Sequence, residues 1–506
     1  MRGFWILWGI LLPAKLWIAA TLAPFGDEAF YWQESRHPAL AYSDLPPATA
    51  LLIRGGEVLL GHGELGLRAA FLLLGALLPL LVRHAGTRWF GPRAGAIAGI
   101  GWMLLPLGGS LGVLALPDVP LSACAVLALI GFDEALRRDR WRDWLLTGLA
   151  LGAAWLCHYR AAMLVAAGLA LLLFTPRGRT GWRRPGLWLA LGLGLLGLWP
   201  TLSYNFGHDW SGLRFQLVDR HPWRFHADAL VQPLEQALVV TPVLYALLIA
   251  ALAYAWRRRS RGGPWDLLAI SGLTFVLGYF AIGLFADDLR FRVHWPLPGL
   301  VPALLVLPVM LDDWLVHARR RAYGLSYGLA GIGLVVTLAY LGLAGGGAAE
   351  LLHRAKAFPD NFVGWQEASA ASARHLAESE PGTLLVADGF MLGAELDFGL
   401  AGTRPVYVLD HPYNTKHGRA GQLADWRLDE TALRGQPGRP VLLAVEETGI
   451  RERERAAWLG SLCRRVAGLV PVERLRLYDG RKVFAFYRGR VPMAGEILPD
   501  TCAATP

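Results

Sequence analysis

Charged residues are scarce in this sequence. Asp, Glu, Lys and Arg make up 18% of the 506 residues, whereas 54% are hydrophobic, and the mean hydropathy is +0.37. A chain with this balance does not fold as one large soluble domain, so a lipid bilayer is its expected solvent. The net charge of +9 comes mostly from arginines in short runs between apolar segments. No aromatic-and-basic module accompanies these runs, which argues against nucleic-acid binding.

Cysteine is also rare. The four cysteines, Cys124, Cys157, Cys463 and Cys502, show no C-x-x-C or similar spacing, which argues against a zinc or thiol redox site. Cys124 and Cys157 lie in apolar segments and are interpreted as packing residues. Cys463 and Cys502 fall in the polar C-terminal part, and they are able to pair if that part is extracytoplasmic.

Long apolar runs dominate the first 344 residues. A membrane span needs about 20 predominantly apolar residues, and we predict eleven spans on that basis. The first is interpreted as an uncleaved span, because it lacks a clean A-x-A site and exceeds the apolar region of a signal peptide. The predicted spans are residues 4–24, 65–83, 94–108, 119–136, 143–158, 160–175, 186–204, 234–256, 265–285, 296–316 and 322–344.

The arginines give this set of spans an orientation. If the N-terminus is cytoplasmic, the inner connections are the arginine-rich ones, as the positive-inside rule requires. These connections are residues 83–93, 137–142, 177–184, 257–261 and 319–321. We therefore predict a multi-pass protein of the bacterial inner membrane, and an odd number of spans places its C-terminal segment in the periplasm.

The C-terminal segment differs from the rest in composition. Apolar runs at 384–387, 406–409 and 441–445 alternate with helical patterns near 364–378 and 451–466, and a last pair of strands near 474–487 flanks Asp479 and Gly480. This pattern predicts a small α/β domain. The predicted organisation is a transmembrane domain at 1–346, with interfacial helices near 28–62, followed by a periplasmic α/β domain at 350–506.

Acidic residues gather at the predicted outer ends of spans. Asp27 and Glu28 directly follow the first span, and Asp118 stands between two spans with a proline on each side. Ionisable groups at such places are costly unless they are used or paired, so they are candidate functional residues. Solvation of the membrane interface by the acidic pair, and turn formation by Asp118, remain the alternatives.

Five motifs at these outer ends resemble one family of membrane enzymes. They are Asp27 and Glu28 with Tyr31 and Trp32, YSDLPP at 42–47, ELGLR at 64–68, PDVP at 117–120 and HWPLP at 294–298. In order along the membrane half of the chain, they resemble the protein O-mannosyltransferase, aminoarabinose transferase and lipid A galacturonosyltransferase group, known as glycosyltransferase families 39 and 83. The resemblance implies a GT-C-like fold of about 11 transmembrane helices.

The resemblance also implies a reaction. A sugar would move from a polyprenyl-phosphate carrier to a glycan, lipid or protein acceptor, with Asp27 as the general base and with Glu28 and Asp118 in supporting catalytic roles. A leaving phosphate calls for cations, and the outer candidates are Arg54, Arg68, Arg160, Arg214, Arg292 and His294. For each of these a structural or lipid-headgroup role stays open. Tyr31, Asp44 and Trp295 complete the candidate substrate-binding set.

One departure from the family concerns the YSDLPP motif. Family members often carry a basic residue or His after its Asp, where this chain has Leu45, so the phosphate contacts are not fixed by the motif. We predict no certain cofactor. A divalent metal stays open, because Asp44, His37 and the His208–Asp209 pair come from two loops, although their spacing gives no support.

Three alternatives remain at the level of the sequence. The loop at 410–426, DHPYNTKHGRAGQLADW, is either a contact for the acceptor or a solvated surface loop. The acceptor is an envelope lipid or glycan such as lipid A, or a protein hydroxyl. A transporter or flippase of lipid-linked sugar is disfavoured, because transporters carry ionisable residues near the midplane of the bilayer, whereas most predicted spans here are Leu, Ala and Gly.

Overall fold

The computed structural model describes residues 2–219, 223–286, 293–352 and 357–499. The chain forms two compact units. We call Met1–Ala19, Leu40–Leu52 and Arg68–Tyr340 the helical unit, and Ala20–Ala39, Ile53–Leu67 and Leu341–Pro506 the sheet unit. The predicted division into domains at 1–346 and 350–506 stays a prediction.

Helices are the main elements in the described part of the first 345 residues. The α-helices are α1 (Arg2–Thr21), α2 (Gly26–Arg36), α3 (Ala48–Leu60), α4 (Glu64–Phe90), α5 (Pro92–Leu104), α6 (Pro106–Ser110), α7 (Asp118–Arg138), α8 (Trp141–Cys157), α9 (Ala162–Phe174), α10 (Pro176–Gly181), α11 (Pro185–Gly207), α12 (Ser211–Arg214), α13 (Gln232–Val240), α14 (Pro242–Arg257), α15 (Trp265–Ala286), α16 (Leu297–Trp314) and α17 (Arg319–Gly345).

Seven helices within the described residues are long and apolar enough to cross a membrane, namely α1, α4, α7, α11, α15, α16 and α17. A pair bent by 113°, Ala227–Val240 and Pro242–Arg261, raises the number to eight if it counts as one span. The other predicted spans fall on the shorter helices α5, α8 and α9. The polytopic helical fold is thus confirmed, while the count of eleven spans stays a prediction.

Ion pairs join the arginine-rich helix ends of the helical unit. Arg177 donates to both carboxylate oxygens of Asp266 at 2.7 and 2.5 Å and to Asp133 at 2.8 Å. Arg88 lies 2.6 Å from Glu134. Because these residues come from α4, α7, α10 and α15, the arginine-rich connections at 83–93, 137–142 and 177–184 meet at one end of this unit.

The sheet unit contains α2, further helices and a five-stranded mixed sheet. Its elements after residue 350 are α18 (Trp365–Ala377), β1 (Leu384–Ala387), α19 (Phe390–Gly399), β2 (Val406–Val408), α20 (Pro412–Lys416), α21 (Ala420–Asp425), α22 (Glu430–Arg434), β3 (Pro440–Glu446), α23 (Glu452–Ser461), β4 (Ala467–Leu477) and β5 (Lys482–Arg490). The strand order is β2-β1-β3-β5-β4, with parallel pairs β1–β2 and β1–β3 and antiparallel pairs β3–β5 and β4–β5.

Alternating side chains place hydrophobic cores on both faces of this sheet. Leu385, Leu442 and Phe484 pack on one face with Trp365 of α18 and other buried residues. Their chain neighbours form a second core on the other face, which includes Leu384, Val386, Val441, Leu443 and Ala485. Successive side chains of a strand point to opposite faces of the sheet, and both faces are buried here. The strands therefore appear in the sequence as short continuous apolar runs. Cys463 is disulfide-bonded, and its predicted partner Cys502 lies outside the described residues.

Candidate active site

The acidic pair of the sequence lies in the first turn of α2. Phe25 precedes the helix in an extended conformation, and Asp27 and Glu28 place negative charge at the positive end of the helix dipole. The helix stops at Arg36, where the backbone N–H of His37 donates to the carbonyl groups of Gln33 and Glu34. Pro38 follows, and a proline does not continue a helix at this position.

Neighbouring elements of the sheet unit hold α2 through its polar side chains. Trp32 Nε1 donates to Glu57 Oε1 at 2.6 Å, and Gln33 Nε2 donates to Asp397 Oδ2 at 2.8 Å. His62 Nδ1 lies 2.9 Å from Glu57 Oε1. Burial opposes ionisation of Glu57, but hydrogen bonds from His62 and Trp32 hold the pKa of this carboxyl below its ordinary value. Burial raises the pKa of Asp397.

Asp27 is paired with an arginine that follows it by 392 residues. Arg419 Nη2 donates to Asp27 Oδ1 at 3.0 Å, and Arg419 Nη1 lies 3.7 Å from Glu34 Oε1. Arg419 precedes α21 within the polar loop at 410–426. The loop therefore contributes directly to the surroundings of the predicted base. The sequence pointed to the loop, but it gave no sign of which cation in it would meet α2.

The two adjacent acids of α2 differ in accessibility. One third of the Asp27 side chain is exposed, whereas Glu28 and Glu34 are fully buried. Asp27 is therefore the carboxylate of this group that solvent or a substrate can reach. Tyr31, a predicted substrate contact, is also buried, and the Arg419 guanidinium lies 5.1 Å from its ring centroid.

A second polar cluster lies in the helical unit. Asp118 is the first residue of α7, and Arg160 Nη1 donates to its Oδ1 at 2.7 Å. His294 Nε2 lies 3.9 Å from the other oxygen of Asp118, and the Arg160 guanidinium lies 5.8 Å from the ring centroid of Trp295. Four residues assigned to the site from three segments of the sequence are thus brought together.

Two further residues of this second cluster were missed in the sequence. The Tyr279 ring lies 5.8 Å from that of Trp295, and His158 Nδ1 accepts the backbone N–H of Arg160 at 3.1 Å. Tyr279 sits in the apolar span α15, where an aromatic residue is ordinary and gives no signal. His158 adjoins Arg160 in CHYR, and its place next to a predicted cation was the one available sign.

The remaining predicted residues have varied surroundings. Asp44 is buried and its carbonyl oxygen accepts from Gln216 Nε2 at 2.9 Å. Arg68 is fully buried, with Nη1 donating to the carbonyl oxygen of Ala19 at 3.0 Å. Arg54 is exposed on α3, and Arg214 is exposed with Nε 3.3 Å from Asp219. Arg292 lies outside the described residues.

The proposed metal ligands engage in other contacts. The His37 ring stacks on Trp426 with centroids 4.6 Å apart, and the His208 ring stacks on Tyr204 at 4.0 Å. Among the described residues, no three or more His, Cys, Asp or Glu side chains are grouped so as to hold a metal ion.

Comparison with known proteins supports the family resemblance. Residues 44–204 match the family described as dolichyl-phosphate-mannose-protein mannosyltransferase, and this segment includes Asp118 and Arg160. The lipid A galacturonosyltransferase RgtD of Rhizobium johnstonii is 27% identical over 300 residues, which cover 58% of this chain and 61% of that protein. The match thus spans less than two thirds of this relative. The resemblance read from the five motifs is confirmed.

Solved structures establish the fold. ArnT from Cupriavidus metallidurans bound to undecaprenyl phosphate aligns with a TM-score of 0.65 at 17% identity, over 96% of this chain and 98% of ArnT, as does its apo state. The apo oligosaccharyltransferase of Archaeoglobus fulgidus aligns with a TM-score of 0.51 at 14% identity, over 90% of this chain and 71% of that protein. The chain has an ArnT-like GT-C fold with a C-terminal mixed sheet.

Proposed function

We propose that this protein is a glycosyltransferase that moves a sugar from a polyprenyl-phosphate carrier to a lipid A-like acceptor, with Asp27 as the general base. The observation that carries the proposal is the Asp27 carboxylate, which is one third exposed and held by Arg419 at the start of α2. Two comparisons support it. RgtD is a lipid A galacturonosyltransferase, and the aligned ArnT structure contains undecaprenyl phosphate.

The reaction needs one base and one stabilised leaving group. An acceptor hydroxyl attacks the anomeric carbon of the sugar, and its proton passes to the Asp27 carboxylate. The bond between the anomeric carbon and the carrier phosphate oxygen breaks, and the electron pair leaves with the lipid phosphate. Fixed cations stabilise the charge that develops on that phosphate.

The helical unit supplies candidates for this second role. Arg160 Nη1 donates to Asp118, and His294 lies beside the same carboxylate. We assign the carrier phosphate to Arg160 and His294, with Asp118 orienting Arg160. Arg54, Arg68, Arg214 and Arg292 remain further candidates for carrier or headgroup contacts.

The proposed setting is the bacterial inner membrane. The N-terminus is assigned to the cytoplasm and the segment at 350–506 to the periplasm, so that the acceptor is an envelope molecule on the outer face. The gathering of arginine-rich connections at one end of the helical unit supports this orientation.

A reconstituted assay tests the proposed activity. Purified full-length protein in nanodiscs is given lipid A and a panel of undecaprenyl-phosphate sugars, galacturonate included. Release of undecaprenyl phosphate together with a matching mass gain of lipid A is the expected result. If no sugar is transferred from any carrier of the panel to lipid A, this assignment is wrong.

Protein O-glycosylation is the second candidate, because the family matched at 44–204 is described by protein mannosyl transfer. A serine- and threonine-rich peptide replaces lipid A in the same assay. Transfer to the peptide but not to lipid A would favour this alternative.

A further inference from the structure

One buried guanidinium is shared by the C-terminal loop and the acidic face of α2. Arg419 is 3% exposed, yet its Nη2 reaches Asp27 Oδ1 at 3.0 Å and its Nη1 lies 3.7 Å from Glu34 Oε1. A buried charge of this kind needs partners to offset its desolvation, and carboxylates provide them. The pairing is therefore a built part of the sheet unit rather than a surface ion pair.

Aromatic rings surround this guanidinium. Its central carbon lies 4.4 Å from the ring centroid of Phe30, 5.1 Å from that of Tyr31 and 5.7 Å from that of Phe390. A planar guanidinium packs on aromatic faces and still donates in its own plane, which the compact ammonium of lysine does not do in the same way. The three rings thus pack around the Arg419 side chain and limit the positions that it can take.

The backbone of Arg419 is also anchored. Its N–H donates to the carbonyl oxygen of Asn414 at 2.7 Å. The side chain of Asn414 in turn donates to the carbonyl oxygen of Leu409 at 3.0 Å and accepts the N–H of Phe390 at 3.0 Å. Leu409 follows β2 and Phe390 begins α19, so the position of Arg419 is set by the sheet and by the helix that precedes β2.

We propose that Arg419 is a positioning residue for Asp27, an inference that rests on the proposed function in which Asp27 is the base. Arg419 is almost wholly buried, whereas one third of Asp27 is exposed. The guanidinium therefore acts on the reaction through the carboxylate rather than by touching a substrate. It holds one carboxylate oxygen in place and favours the charged form that accepts a proton.

The local charge balance gives this role a measurable signature. Glu28 and Glu34 lie on the same helix as Asp27, and His417 lies on the same loop as Arg419. Without Arg419, three acids would remain on α2 with one positive partner fewer. Protonation of Asp27 would then occur at a higher pH, because a nearby cation favours the carboxylate and nearby carboxylates disfavour it.

The test compares three variants of the full-length protein in nanodiscs, with undecaprenyl-phosphate galacturonate and lipid A as substrates. Arg419→Gln should lower kcat by about 10-fold or more, the scale of one charged hydrogen bond. In the plot of kcat against pH, the low-pH limb should shift to higher pH by about one unit. The KM for the carrier should change little. Arg419→Lys should lower kcat but leave the limb close to that of the wild type. The control is Arg427→Gln, an exposed position of the same region, which should match the wild type.

A double mutant separates positioning from substrate binding. If Arg419 acts through Asp27, Arg419→Gln should add no further loss to Asp27→Asn. An equal loss in both backgrounds, a raised carrier KM at unchanged kcat, or an unmoved pH limb would overturn the inference. Thermal melting identifies misfolding, and if Arg419→Gln does not fold, the same double-mutant cycle with Arg419→Lys decides, because that variant is also expected to lose turnover only when Asp27 is present. Full turnover of Asp27→Asn would instead contradict the proposed function itself.

Discussion

Two neighbouring carboxylates on α2 differ in their exposure to solvent. Asp27 is partly exposed and bonded to Arg419, whereas Glu28 is fully buried. Adjacent side chains on a helix diverge by about 100°, so a substrate that meets one of them does not meet the other in the same way. The sequence presents the two as an equivalent pair, and the folded chain makes them unequal.

Asp27→Asn should therefore lower turnover by roughly 100-fold or more, because the amide keeps the size of the side chain but lacks the basic lone pair. Binding of undecaprenyl phosphate should be retained. Turnover at saturating carrier, together with calorimetric binding of undecaprenyl phosphate, measures the two effects separately.

Glu28→Gln is the matched control for Asp27→Asn, and a milder loss is expected. Near-normal turnover of Asp27→Asn beside an inactive Glu28→Gln would shift the role of base to Glu28. Normal turnover in both variants would leave the acidic pair as an interface anchor.

At the residue scale, Arg160 is a proposed ligand of the carrier phosphate. Arg160→Ala should weaken binding of undecaprenyl phosphate by about 1.5–3 kcal/mol, the range for a hydrogen bond to a charged group. Arg140→Ala provides the comparison, since Arg140 is exposed in the arginine-rich connection at 137–142 and should leave carrier binding unchanged. Unchanged carrier affinity in Arg160→Ala would move the phosphate site elsewhere. Thermal melting separates this effect from the destabilisation expected when Asp118 loses its partner.

At the scale of elements, the sequence predicted the C-terminal sheet well. The expected strands at 384–387, 406–409 and 441–445 correspond to β1, β2 and β3, and the expected final pair corresponds to β4 and β5 around Asp479 and Gly480. Short apolar runs bounded by turns predict these strands, because a strand buried on both faces of a sheet is apolar at every position. The helix α19 was not predicted, since its residues FMLGAELDFG lack a clear polar face.

The carboxyl end of β1 carries an acid with unusual protonation. Burial, together with the negative charge of Glu446, raises the pKa of Asp388 to about 8 from an ordinary value of 3.8. Between these values the native state holds a proton at Asp388 that the unfolded state has lost, so stability falls as pH rises. Asp388→Asn removes this dependence. Between pH 5 and pH 7 the wild type should lose about 3 kcal/mol of stability relative to Asp388→Asn, seen as a falling difference in melting temperature.

His411 lines the same cavity as Asp388. It serves as a control, because its pH dependence of stability has the opposite sign. Burial and the charge of Arg465 lower the pKa of His411 to about 4. The unfolded state therefore holds the extra proton between about pH 4 and pH 6.5, and the histidine contributes stability that grows as pH rises. His411→Gln should make the wild-type gain over this range disappear. A parallel pH dependence in all three proteins would contradict both assignments.

At the scale of the whole molecule, the sequence did not predict which distant residues pair with each other. Asp27 and Arg419 are separated by 392 residues, and Asp118 and His294 belong to motifs that lie far apart in the sequence. The motifs identified most of these residues one by one, because charged groups near apolar spans are rare. Which cation meets which acid depends on tertiary packing, and no periodicity of the sequence encodes it.

The course of α7 links the two ends of the helical unit. This helix runs from Asp118, in the cluster with Arg160, to Arg138, beside the ion pairs of Glu134. Its 21 residues rise about 30 Å, which is the thickness of the hydrocarbon core. If the arginine-rich end faces the cytoplasm, the Asp118 cluster lies at the outer face.

The length of α17 predicts on which side of the membrane the C-terminal segment lies. The helix begins with Arg319, whose Nη1 lies 3.3 Å from Asp312, and its 27 residues are long enough to cross the bilayer before ending at Gly345. Alkaline phosphatase fused after Pro506 should therefore be active, because it needs the oxidising periplasm to form its disulfides. A fusion after Val316, just before α17, should be inactive, since one span separates the two positions. Activity in the Val316 fusion and none in the full-length fusion would invert the topology and move the Asp118 cluster, with its proposed carrier site, to the cytoplasmic face.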